Sequence, residues 1–228
     1  MTKSAPKGSM SEHAYNALKD KLLTLEGGAY LSSRQFASEI GMSYTPVREA
    51  FLRMKKEGTL NQIPNVGFFV ASMDINEIMQ LYQVRECIEP FVLEQVISRV
   101  TPSYIIIMRG LVQEQKQALD VKDVTKYMKI DIKLHEVILD IYGNQYIKTM
   151  YRNIREKHMI CSNRIGLSFY PDAIDEHSNM IDAIETGNVE HSLKLMKEHI
   201  ENAKNRILEG FIKVDGFHSN DILHFHKE

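Results

Sequence analysis

Apolar positions along the first third of the chain fall at helical spacing in three short stretches and then switch to a strand pattern. After the polar stretch Met1–Met10 (MTKSAPKGSM), Ala14, Leu18, Leu22 and Leu23 repeat at three- and four-residue intervals, and Gly27-Gly28 stops the helix they predict. Ser32-Ser33-Arg34-Gln35 has the S-x-x-Q form of a capping box, so a second helix starts at Ser32 and buries Phe36, Ala37 and Ile40. Gly41-Met42-Ser43 makes a tight turn, and Thr45-Pro46 offers an N-cap followed by proline at the first helical position. Val47, Ala50, Phe51 and Met54 form the apolar stripe of that third helix, which leaves Tyr44, Arg48, Glu49 and Lys55 off the core face, and Gly58 ends it. Two β-prone runs, Leu60–Ile63 and Phe68–Val70, flank Pro64-Asn65-Val66-Gly67 and predict a hairpin. Helix, turn, helix and hairpin form a winged helix-turn-helix, whose third helix has the width of the DNA major groove. From spacing alone, Arg34 and Arg48 fit either DNA contacts or solvated helix charges.

From residue 73 onward the pattern is helical with regular stops. Asp74-Ile75-Asn76-Glu77 starts a helix in which Pro90 predicts a kink or a division before Val100. Thr101-Pro102 begins another that ends near Leu119, Val124–Ile141 precedes Gly143, and Tyr146–Ser168 is a long mixture of polar and apolar residues. Asp172–Glu185 stops at Gly187, and Val189–Ile212 forms the last helix. No strand pattern interrupts them. The expected fold class is therefore mostly α. Residues 1–72 form the winged domain with 1–10 as a flexible arm, 73–213 an antiparallel bundle of six or seven helices, and 214–228 a tail containing His218, His224 and His226.

Composition changes this picture little, and charge changes it more. With 43% hydrophobic and 25% charged residues, the chain is an ordinary globular protein. No apolar run reaches membrane-spanning length and Met1–Met10 lacks a signal-peptide core, so a cytoplasmic location is expected. Cys87 and Cys161 stand alone, without zinc-ribbon spacing, and read as buried thiols. The formal net charge of −2 conceals an asymmetry: residues 1–72 carry nine Lys and Arg against six Asp and Glu, whereas 73–228 carry nineteen against twenty-four. Phosphate contact, if present, belongs to the basic first part.

Candidate chemistry lies in the second part. Asp131 and His135 are four apart on a predicted helix, so a carboxylate oxygen and an imidazole nitrogen share one face and can converge on a divalent ion. His177 and His199, on two later helices, complete a set of three His and one carboxylate if those helices pack beside the first. From spacing alone the simpler reading makes each His a surface or core residue with a local partner. His191, eight residues before His199, is a reserve ligand. Such a site with open positions can activate water, which raises a hydrolase reading with Glu176 as base. HExxH, GxSxG, P-loop and GxGxxG motifs are all missing, so the chain is not expected to be an enzyme. A regulator whose effector is the ion itself is a further alternative.

Leu31-Ser32-Ser33-Arg34-Gln35-Phe36-Ala37 followed by Gly41-Met42-Ser43-Tyr44-Thr45-Pro46-Val47-Arg48-Glu49-Ala50-Phe51 resembles the GntR family of bacterial regulators, and the likeness runs from Leu31 to Val70. It implies operator contacts by Arg34 and Arg48 and a minor-groove approach of the Pro64–Gly67 wing; Tyr44, Thr45, Lys55, Asn65 and Gly67 are further candidates for the DNA face. Tyr44 stands where the family usually carries Arg, Ser33 replaces a Glu, and the wing tip has no basic residue. The second part resembles the FCD effector domain at Leu81–Glu89, at Asp131 and His135, at Glu176-His177 with Ile181–Ile184, and at His199-Ile200. That resemblance implies a metal on Asp131, His135, His177 and His199, with Arg85 helping to hold a small organic acid. Imidazole-rich ligation favours Zn or Ni over Mg or Ca. The expected protein is thus a homodimeric, effector-controlled regulator that binds double-stranded operator DNA with an inverted repeat.

Overall fold

The computed structural model describes residues 7–161 and 170–215, with side chains from 10 to 161 and from 170 to 210. The C-terminal histidines His218, His224 and His226 and the first six residues lie outside the described residues. The chain folds as two compact units. One holds residues up to Met73 together with a segment from Glu156, and the other holds Asp74–Arg155 and the helices beyond residue 170.

The first unit contains α1 (Lys7–Leu22), β1 (Tyr30–Leu31), α2 (Ser33–Glu39), α3 (Tyr44–Lys56), β2 (Leu60–Ile63) and β3 (Gly67–Val70). The mixed pattern of the sequence is realised as a winged helix-turn-helix. Val47, Ala50, Phe51 and Met54 of α3 are all buried, and the Phe51 ring packs edge-on against Phe36 of α2 at 5.8 Å and Phe68 of β3 at 4.9 Å. These aromatic contacts tie both helices to the wing. Ile40, expected in the core, is half-buried, because it caps α2 rather than facing α3.

Three local expectations are corrected. Helix α1 begins at Lys7, so the last residues of the expected arm are helical; once a helix has nucleated, adding residues at its end is cheap. The third helix starts at Tyr44 with Ser43 as N-cap, not at Thr45. Pro46 then sits in the first turn, where its missing N–H costs nothing because those donors have no helical acceptor. Strand β1, absent from the pattern, pairs antiparallel with β3 (Tyr30 with Phe69, Leu31 with Phe68) and gives the sheet order β1-β3-β2. Two residues are too few for alternation to register. The Ser32 cap is formed as expected, its hydroxyl accepting from Gln35 N–H at 3.3 Å.

At the wing tip Asn65 has φ 61° and Gly67 φ 152°, both unfavourable for most L-residues. A Cβ at Gly67 would also come within 2.5 Å of the Tyr30 ring, whose hydroxyl donates to the Val66 carbonyl at 3.3 Å.

The second unit is built from α4 (Ile75–Val96), α5 (Pro102–Asp120), α6 (Val124–Tyr142), α7 (Gln145–Cys161), α8 (Pro171–Glu185) and α9 (Val189–Asp215). Six helices fall within the expected six or seven among the described residues. Asp74 and Glu77 form a complete capping box on α4, Asp123 caps α6 through Lys126 N–H, and Gly143 ends α6 at φ 83°. Pro90 does not divide α4; the helix runs through it to Val96 and then tightens into a single 3-10 turn, Ile97–Arg99. Burial of Pro90 among the apolar residues of α4 compensates the lost helical hydrogen bond. Helix α5 packs on α6 and α8, α4 on α6 and α9, and α8 on α9.

From Glu156 onward, α7 belongs to the first unit. Glu156 Oε1 pairs with Lys19 Nζ of α1 at 2.5 Å, and the Cys161 carbonyl accepts from Met73 N–H at 3.5 Å. No signal in the sequence separates that last part of α7 from the rest.

Candidate metal centre and nucleic-acid interface

Helices α6, α8 and α9 bring Asp131, His135, His177 and His199 together, with one potential ligand atom from each lying within 4.8 Å of the others. All three imidazoles are buried, and their ring centroids lie 4.5–5.3 Å apart. Burying three imidazoles side by side without a shared purpose leaves polar groups that a core normally pairs. The Nε2 atoms of His135 and His177 have no hydrogen-bond partner although fully enclosed, and His177 Nε2 lies 3.5 Å from Asp131 Oδ1.

Around the rings stands a shell of oxygens on the opposite nitrogens. His177 Nδ1 is 3.0 Å from Gln115 Oε1 of α5, and His199 Nδ1 is 2.7 Å from Glu176 Oε2 of α8. His135 Nδ1 is 2.7 Å from Glu89 Oε2 of α4, an ion-pair distance although not aligned as a hydrogen bond. Each oxygen favours a proton on Nδ1 and leaves Nε2 as the nitrogen open to a ligand, the arrangement by which carboxylates orient metal-binding histidines. The donor set of three imidazoles and one carboxylate therefore suits a transition metal.

Electrostatics keeps the donors in their binding forms. Burial would raise the Asp131 carboxyl, but the adjacent Arg155 guanidinium holds it below its ordinary range. Burial pushes His177 well below the usual imidazole value and His199 down to about 4, with Glu176 only partly opposing the shift at His199. The nitrogens of His177 and His199, neutral at pH 7, need no proton removed before binding a cation.

Arg85, expected to hold an effector, is buried and directs two donors at Glu89: Nε to Oε1 at 2.6 Å and Nη2 to Oε2 at 3.4 Å. Tyr151 Oη of α7 also donates to Glu89, at 2.9 Å. His191 is exposed at the start of α9 and outside the cluster, so it is not the reserve ligand the sequence offered. Eight residues of helix turn by about 800°, which leaves it some 80° from the His199 face. Cys161 is buried as expected, whereas Cys87 is exposed.

On the first unit, Arg34, Tyr44, Thr45, Arg48, Lys55 and Asn65 are exposed and Gly67 is half-buried. Tyr44 is bracketed by both arginines: the Arg34 guanidinium lies 5.6 Å from its ring centroid and Arg48 Nη1 donates to its hydroxyl at 3.4 Å. The Arg48 hydrogen bond, followed by that of Ser33, lowers the Tyr44 phenol from its ordinary value. Lys55 Nζ reaches Gln62 Oε1 of the wing at 3.0 Å.

Residues 10–70 match the bacterial regulatory proteins of the gntR family, and residues 80–202, over half the chain, match the FCD domain. The chain belongs to the GntR family of transcriptional regulators and carries an FCD domain. It is 25% identical to the gluconate operon transcriptional repressor of Bacillus licheniformis over 190 residues, 80% of this chain and 78% of that protein. It is 24% identical to the HTH-type transcriptional regulator YdhC of Bacillus subtilis, over 86% of this chain and 92% of the relative. Among solved structures, Escherichia coli McbR/YncC shares the fold with a TM-score of 0.78 at 18% identity, covering 89% of this chain and 98% of that one. No helix among the described residues is long and apolar enough to cross a membrane.

In this GntR/FCD regulator the hydrolase alternative is set aside, because the families and relatives are transcriptional regulators. Local chemistry agrees. Glu176 accepts from both Nη atoms of Arg206, at 2.9 and 3.0 Å, and from Asn202 at 2.8 Å, besides its contact with His199. Burial alone would raise it, but these partners hold its carboxyl below the ordinary range, far from a base poised near neutrality. Sequence reasoning missed Glu89, Gln115 and Arg155. Glu89 is four residues from Arg85, a spacing equally common in exposed helix pairs, and Gln115 and Arg155 carry no local signal at all.

A pH dependence follows for the metal-free protein. His199 at about 4 lies below its unfolded value of 6.5, so protonation favours the unfolded chain. Stability is full above pH 6.5 and is lost as the pH falls toward 4, by about 2 kcal/mol at roughly pH 5 from this residue alone. Guanidinium midpoints of chelator-treated protein should fall over that range, and a flat profile would contradict the buried neutral imidazole.

Proposed function

We propose that this regulator binds operator DNA as a homodimer through α3 and the wing, and that its FCD domain holds one divalent transition metal, Zn or Ni, for recognition of a small organic acid. The observation that carries the second half is the buried Asp131–His135–His177–His199 cluster with an oxygen within 3.0 Å of Nδ1 of each imidazole. Four protein ligands leave an octahedral ion two positions, enough for a chelating carboxylate that Arg85 helps to hold. The organic acid controls the operator only through its differential affinity for the two states of the dimer. Exposed Tyr146 and Met150, which line a groove along α7 with Gln145, Thr149, Asn153 and Ile154, are the apolar surface offered for dimerisation.

For DNA, Arg48 at the start of α3 is assigned to a base and Arg34 to phosphate, with Tyr44 keeping the two guanidinia apart and oriented; Thr45, Lys55, Asn65 and Gly67 complete the face. Arg48→Ala is expected to weaken the cognate operator by about 1–3 kcal/mol and relax its sequence preference. Arg34→Ala should weaken all sequences alike and reduce the salt slope by roughly one. Fluorescence anisotropy over a salt series distinguishes the two, and affinities unchanged by either substitution overturn the assigned face. Operator release by the metal with no organic acid present would instead make the ion itself the effector.

Gly67→Val tests the wing separately. A β-branched residue at that backbone angle should destabilise the first unit by about 1–3 kcal/mol and weaken operator binding. Metal uptake by the helical unit should be untouched; simultaneous loss of both functions would mean that the two units fold as one.

A further inference from the structure

Arg155, near the end of α7, is 3% exposed and its Nη1 has no partner. An enclosed guanidinium nitrogen without an acceptor is costly, and such groups are rare enough that each calls for a partner. Its Nη2 donates to Asp131 Oδ2, while Asp131 Oδ1 faces His177 Nε2 at 3.5 Å. One carboxylate thus stands between the guanidinium and the imidazole cluster, and Asp131 can serve the ion with one oxygen and Arg155 with the other.

Charge balance points the same way. Arg85 and Arg155, close enough for the first to oppose the charge of the second, are both buried and are matched by the buried carboxylates Glu89 and Asp131. Glu176 and Arg206 cancel each other. An imidazole that ligates a cation does so as a neutral group, so these pairs sum to zero and a divalent ion adds two positive charges in a low-dielectric interior. A monocarboxylate leaves one of these uncompensated, whereas a dianion closes the balance.

We propose that Arg155 is the specificity-determining residue for a second acidic group, so that the site takes a 2-hydroxy or 2-oxo dicarboxylate dianion in preference to the corresponding monocarboxylate. The inference rests on the metal-and-carboxylate reading above. One end of such an effector chelates at the ion, and the other accepts from Arg155 Nη1 in a charge-assisted hydrogen bond.

The test uses the full-length protein loaded with Zn or Ni, its metal content measured first, and two five-carbon probes with the same chelating head. 2-Hydroxyglutarate ends in a carboxylate and 2-hydroxyvalerate in a methyl group. Calorimetric titration of the wild type should favour 2-hydroxyglutarate by about tenfold or more. In Arg155→Gln, compared at equal measured metal occupancy, the preference should fall to within about threefold, and Arg155→Lys should restore part of it. Equal affinity for the probes in metal-loaded wild type, no binding of either, or an equal loss for both in Arg155→Gln overturns the role of Arg155. Because the wild-type comparison needs no variant, a folding defect in Arg155→Gln does not shield the proposal. Protein that holds no ion at all fails at the earlier reading instead, and this one falls with it.

Discussion

Chelation of the bound ion is expected to lower the melting temperature of the wild-type protein, and the His135→Ala/His177→Ala double variant is expected to hold no stoichiometric metal and to ignore the chelator. A ligand bound only by the folded state stabilises it by mass action, about 2.7 kcal/mol at one hundred times its dissociation constant. For a domain of this size that corresponds to roughly 5–10 °C. The effect is large because the two imidazoles removed are the ones whose Nε2 atoms are enclosed without partners. His177→Ala alone should bind less metal and lose effector affinity while still binding operator, since α3 lies in the other unit. Elemental analysis showing equal metal in wild type and double variant would sink the site.

Glu89→Ala should be the most damaging single change in the helical unit. Glu89 is fully buried and joins three elements: it accepts from Arg85 of its own helix and Tyr151 of α7, and approaches His135 of α6. Burial would raise its carboxyl, but Arg85 and then His135 hold it well below the ordinary range, so it is a carboxylate at any working pH. Its removal strands the Arg85 guanidinium in the interior, and breaking a buried pair in this way costs about 3–5 kcal/mol. Calorimetric unfolding measures the loss. Glu89→Gln, which keeps an acceptor for Tyr151 but not the charge, should fall between wild type and Glu89→Ala, and metal affinity should drop in both because His135 loses its orienting carboxylate. An unaltered melting temperature in Glu89→Ala would show that the pair contributes nothing to the fold.

Period, caps and stops carried most of the secondary structure in the sequence itself. The stripe Val47, Ala50, Phe51 and Met54 placed the core face of α3, the Asp74–Glu77 box started α4, and Gly143 and Gly187 ended α6 and α8, because these signals act within one or two helical turns. Asp131 and His135 were legible as a pair for the same reason, and family resemblance supplied His177 and His199. What only the tertiary structure decided were the features that depend on residues distant in sequence. Strand β1 exists because β3 is there to pair with it, and α4 passes through Pro90 because packing outweighs one missing hydrogen bond. Glu89, Gln115, Glu176 and Arg155 became the surroundings of the histidines only when α4, α5, α8 and α7 were folded around α6. A buried charge looks in sequence like any surface charge on a helix. Its meaning comes from which partners are close and which atoms are left without one, and both are set by packing.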